Sequence, residues 1–75
     1  MTYIAFYEND LGIEGAIENF YNLLCQRRNT SLRKYEDKFN NDQYQATVTF
    51  SSNETFRIKI HFDHSQDMWV CNAHD

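Results

Sequence analysis

Tyr44-Gln45-Ala46-Thr47-Val48-Thr49-Phe50 and Phe56-Arg57-Ile58-Lys59-Ile60-His61-Phe62 decide the architecture of this chain. In both stretches every second residue is apolar. Successive side chains on a strand point to opposite faces, so strict alternation marks a half-buried antiparallel strand. Bringing the two apolar sides together places Phe50 opposite Phe56 and Val48 opposite Ile58, since a one-residue slip would turn a whole side outward. Ser52-Asn53-Glu54 is then a three-residue hairpin loop.

Downstream, Met68 to Cys71 is expected to form a third strand, with Ile60 opposite Val70 and Phe62 opposite Met68 beyond a loop from Asp63 to Asp67. That register turns Trp69 and Cys71 outward, alongside Thr47, Thr49, Arg57, Lys59 and His61. An exposed tryptophan beside potentially cationic side chains makes a candidate recognition surface, because the indole supplies contact area and cation–π contacts. The plainer alternatives are a bulge that turns Trp69 into the core, or an indole lying flat over the lysine and arginine stems.

Upstream, Ile13, Ala16, Ile17, Phe20, Leu23 and Leu24 recur at three- and four-residue steps, the period of an amphipathic helix from about residue 11 to 28. Asn9 or Asp10 can cap it, Glu14 and Glu18 sit towards its start and Arg27 and Arg28 at its end, the order the helix dipole favours. Asn29-Thr30-Ser31 ends it. Leu32, Tyr35 and Phe39 fit a short second helix over 31 to 39, closed by Asn40-Asn41-Asp42. Tyr3 to Tyr7 fits an extra strand or further helical turns. The expected fold class is therefore α+β: one main N-terminal helix, with a short second helix, packed on a three-stranded antiparallel meander, plus an optional N-terminal strand.

The whole chain, 75 residues with 41% hydrophobic and 16% aromatic content, is expected to form a single domain over 1–75. Eleven acids against seven bases leave a net charge of −4, the wrong sign for a general binder of nucleic acid or anionic membrane. No apolar run reaches the roughly 18 residues of a membrane span, and no basic-then-apolar leader opens the chain. A cytoplasmic product is expected, with Cys25 and Cys71 reduced rather than bridged. The charge is segregated: residues 1 to 26 carry Glu8, Asp10, Glu14 and Glu18 and no base. Glu14 and Glu18, four apart, form a stripe on the helix side away from Ile13, Ile17 and Phe20, with Tyr21 and Asn22 following on that side.

His61-x-x-His64 and Cys71-x-x-His74 have the residue types and gaps of a zinc site. The expected register argues against one: Cys71 falls diagonal to His61, roughly 7–8 Å away, and His74 lies beyond the strand end. No cofactor or metal is expected. There is no phosphate loop, nucleophile elbow or H-E-x-x-H, so catalysis is not expected either. The outer sheet face around Trp69 invites a single-stranded nucleic-acid reading, which the charge and the lack of an RNP-like motif weaken.

What remains is protein binding. Size and acidity fit an inhibitor or modulator of a larger nucleic-acid-handling complex, of the kind encoded by phages and mobile elements against CRISPR or restriction systems; its location would then be the host cytoplasm. Two surfaces compete: the acidic helix side (Asp10, Glu14, Glu18) and the outer sheet face (Arg57, Lys59, His61, Trp69), which can alternatively serve a homodimer.

Overall fold

The computed structural model describes residues 1–40 and 43–75. β1 (Thr2–Glu8) runs into a 3-10 turn (Asn9–Leu11) and then α1 (Gly12–Arg28); β2 (Leu32–Asn40), β3 (Gln43–Phe50), β4 (Thr55–Asp63) and β5 (Met68–His74) follow. The strands form one sheet in the order β1-β5-β4-β3-β2, every neighbouring pair antiparallel. The first and last strands of the sequence are thus neighbours, and α1 lies across β1, β5 and β4. No helix among the described residues is long and apolar enough to cross a membrane.

This overturns the expected fold class. The molecule is dominated by one five-stranded sheet with a single helix, not by a helix on a three-stranded meander. The short second helix over 31 to 39 does not exist; Leu32–Asn40 is an edge strand. The physical reason lies in a β-bulge. Leu32 pairs with Phe50 and Lys34 with Thr49, which leaves Arg33 as the extra residue. One added residue shifts the alternation, so Leu32 and Tyr35 share a face at a three-residue spacing that otherwise belongs to a helix. The turn read at Asn40-Asn41-Asp42 falls partly on residues 41 and 42, which lie outside the described residues. Tyr3 to Tyr7 lies within a regular strand.

Two registers differ from expectation. β3 and β4 pair Val48 with Phe56 and Ala46 with Ile58, a two-residue slip that keeps every side chain on its expected face. The hairpin closes with Phe50 N donating to Glu54 O at 2.9 Å and Asn53 in the left-handed region at φ 69°. Between β4 and β5 the slip is one residue: Ile60 pairs with Cys71 and Phe62 with Trp69. An odd slip exchanges faces. Trp69, Cys71 and Ala73 therefore point at the helix, and Met68 and Val70 point away.

Helix boundaries also have specific causes. Neither Asn9 nor Asp10 caps α1 through its side chain; Asn9 Nδ2 instead donates to Asp67 Oδ1 at 3.2 Å. The chain enters through Gly12 at φ 70°, ψ 173°, a conformation open essentially to glycine alone. It leaves through Asn29 at φ 50°, ψ 50°, with Thr30 N on Cys25 O and Asn29 N on Gln26 O, the paired bonds of a Schellman ending. Arg28 ties this end down. Its guanidinium ion-pairs with Glu54 of the β3–β4 hairpin, donates to Tyr3 Oη and lies 5.7 Å from the Phe56 ring centre.

The core lies between α1 and the sheet. Ala16, Phe20 and Leu24 are buried from the helix side, against Tyr44, Val48, Phe50, Phe56, Ile58, Ile60, Trp69, Cys71 and Ala73. Ile13, Ile17 and Phe62 pack around its margin. Each large side chain buried here contributes about 1.5–3 kcal/mol relative to exposure.

Candidate functional site

The two surfaces expected from the sequence fare differently. Trp69 is only 7% exposed, stacked edge-on against Phe62 at 5.0 Å, with its Nε1 buried and without a hydrogen-bond partner. It cannot serve as a recognition platform on the outer sheet face. Arg57, Lys59 and His61 do point outward and are exposed, in cross-strand rows that read Glu36–Thr47–Arg57–His74 and Lys38–Gln45–Lys59–Asn72. Arg57 and Lys59 line a shallow depression of about 480 Å³ together with the side chains of Glu36 and Lys38. Its charges are mixed and it holds no aromatic ring, so the stacking surface needed for bases is absent from it.

The zinc reading fails on the same register. Cys71 is fully buried on the inner face while His61 is exposed on the outer face, so the four candidate ligands His61, His64, Cys71 and His74 do not converge. Among the described residues no group of three or more His, Cys, Asp or Glu side chains is placed to hold a metal ion. Burial pushes the Cys71 thiol up to about 12, away from the thiolate that metal binding or nucleophilic chemistry requires.

On the opposite side of the molecule, the acidic helix stripe borders a groove. Because α1 sits over β1, β5 and β4, it leaves a channel of about 360 Å³ between its Glu14–Tyr21 side and the inner face of β2. Ile17, Tyr21, Leu32, Tyr35 and Tyr44 form its apolar and aromatic walls, and Glu14, Glu18 and Asp37 its rim. Tyr35 is half exposed, with its ring centre 6.1 Å from that of Tyr21; Tyr21 and Tyr44 meet edge to face at 6.3 Å. Asp10 does not join them. It lies in the 3-10 turn and borders a separate crevice with Glu8 and Asp67.

Electrostatics give this groove one sign. Among the described residues, every charged one lining it is a carboxylate. The Tyr21 and Tyr44 hydroxyls are hydrogen-bonded at 2.6 Å, and Tyr44 Oη makes a long contact of 3.5 Å to Asp37 Oδ2. With the Tyr44 proton turned to Asp37, Tyr21 donates to Tyr44, and both phenolic protons are used inside the relay. Burial above all, helped by the neighbouring acid, holds both phenols above their ordinary value, so they stay neutral at physiological pH. The groove thus offers ring faces and anionic acceptors to whatever enters it.

Sequence reasoning found Glu14 and Glu18 and noted Tyr21 on their side. It missed Leu32, Tyr35 and Asp37 as their companions because β2 was read as a helix, and with that wall absent Tyr44 of β3 was left as a core-facing residue only. An inward Asp37 next to Tyr35 in the same strand was the available signal, since a carboxylate on a core-facing row needs a reason.

The chain matches no protein-family model, no curated protein and no solved structure. Its function is therefore argued from its own geometry.

Proposed function

We propose that this protein is a small binding module that captures a basic segment of a larger protein in the groove between α1 and β2. The observation that carries the reading is the joint character of that groove: three tyrosines inside and, among the described residues, Glu14, Glu18 and Asp37 as the charges that line it. Arginine and lysine side chains suit such a place, because the stem packs on aromatic surface while the cationic head meets carboxylates and ring faces. The surrounding field helps: residues 1 to 26 carry four acids and no base, which steers a cationic partner and raises its association rate. Basic segments of this kind are what nucleic-acid-handling complexes present to phosphates. A protein that occupies one acts as an inhibitor or modulator by competing for it, in the manner of phage and mobile-element inhibitors, and needs no catalysis or cofactor.

The test is charge reversal. Glu14 and Glu18 are exposed on the helix, so replacing both with lysine should leave the melting temperature within a few degrees while binding of an arginine-rich peptide falls at least tenfold. Unchanged affinity in the folded double variant would show that the groove is not the site.

A further inference from the structure

The two edges of the sheet are unlike each other. β2 is defended as exposed edges usually are: it carries a bulge at Arg33 and five charged residues, Arg33, Lys34, Glu36, Asp37 and Lys38. β1 has none of these devices. Its seven residues, Thr-Tyr-Ile-Ala-Phe-Tyr-Glu, pair with β5 in unbroken register, contain no lysine, arginine or proline, and carry a single charge at the last position. Its outward side chains Ile4 and Phe6 are 58% and 50% exposed, and Phe6 stands directly beside the outward Val70 of β5. An apolar, unprotected edge presents unpaired backbone groups to any other strand.

We infer that β1 is a homodimer interface, in which it pairs antiparallel with β1 of a second copy to make one continuous ten-stranded sheet. The self-complementarity of the strand identifies the occupant. A two-fold axis normal to the sheet keeps outer face with outer face, so directly opposed residues must have the same parity, and full overlap centres the pair on Ala5. Ile4 then meets the partner's Phe6, Tyr3 meets the partner's Tyr7, and Glu8 meets the partner's Thr2. No like charges oppose each other. Head-to-tail joining of β1 to β2, which would grow open filaments, is blocked by the bulge and charges of β2. The pairing covers a strand roughly 23 Å long, at the small end of specific interfaces, so the dimer depends on concentration.

Light scattering behind size exclusion, with sedimentation equilibrium, reads the mass directly. The expected mass rises from 9.0 kDa in dilute solution towards twice that value across the micromolar range; 9.0 kDa at all concentrations up to millimolar overturns the inference. Phe6→Lys, with Ile4→Lys as a second variant should the first not melt cooperatively, is expected to stay monomeric. A folded variant that dimerises like the parent overturns it too. Spin labels at Glu8→Cys in a Cys25→Ser background report the register. Two α-carbons six residues out of register lie roughly 20 Å apart, and a distance that excludes this places the contact elsewhere.

Discussion

Trp69 shows what a single residue decides here. Placed outward, it makes a binding face; placed inward, it is part of the core, and its edge-on contact with Phe62 at 5.0 Å shows which holds. Trp69→Ala is expected to cost about 3–5 kcal/mol, as large-to-small changes in a core do, whereas Arg57→Ala on the outer face should stay within about 0.5 kcal/mol; denaturant unfolding of the two variants checks the contrast. Cys71 beside it gives a pH prediction. The folded thiol is held up to about 12 against an ordinary 9.0, so below pH 9 both folded and unfolded chains keep the proton. Above it the unfolded chain loses a proton that the folded chain retains, and stability falls as pH rises from 9 towards 12. Tyr7, Tyr21 and Tyr44, all raised chiefly by burial, act with the same sign. Melting temperatures should decline as pH is raised from 9 to 11, and thiol-reactive probes at neutral pH should leave Cys71 unmodified in the folded protein.

Among the elements, the helix and the β3–β4 hairpin were legible because their periods are unambiguous: six apolar positions at helical steps, and two runs of strict alternation. β2 was not, since a bulge disguises a strand by giving Leu32 and Tyr35 a helical spacing. The register of β5 was legible over a longer window. In Met68-Trp69-Val70-Cys71 both alternating sets are apolar, but Asn72 and His74 continue the Met68 set, while Ala73 continues that of Trp69 and Cys71. Only the second set is apolar throughout, and it is the one buried. The groove was half legible for the same reason, as its helix wall was read and its strand wall was not. The entry to α1 carries a prediction of its own. A Cβ at Gly12 would meet nothing within 4 Å, yet the backbone there is at φ 70°. Gly12→Ala is therefore expected to cost about 1–3 kcal/mol from backbone strain alone. Gly15→Ala, where the backbone is helical and the nearest contact is Leu11 Cβ at 3.1 Å, instead tests packing; thermal melts of both variants separate the two causes.

As a whole, the molecule separates its charges by face. Lys38, Arg57, Lys59 and His61 are spread over the outer side of the sheet, interleaved with Glu36, while the helix side presents Glu14 and Glu18 above a tyrosine-lined channel. A cationic ligand therefore meets carboxylates and tyrosine rings together in this channel, whereas the Glu8–Asp10–Asp67 crevice offers carboxylates without an aromatic wall. Mapping amide chemical shifts while an arginine-rich peptide is added tests this most directly, because each residue reports for itself. The account predicts saturable shifts concentrated at Glu14, Ile17, Glu18, Tyr21, Tyr35 and Asp37, weakened by salt and abolished in the Glu14→Lys, Glu18→Lys variant. Shifts confined to Arg57, Lys59 and His61, or none at all, would contradict it.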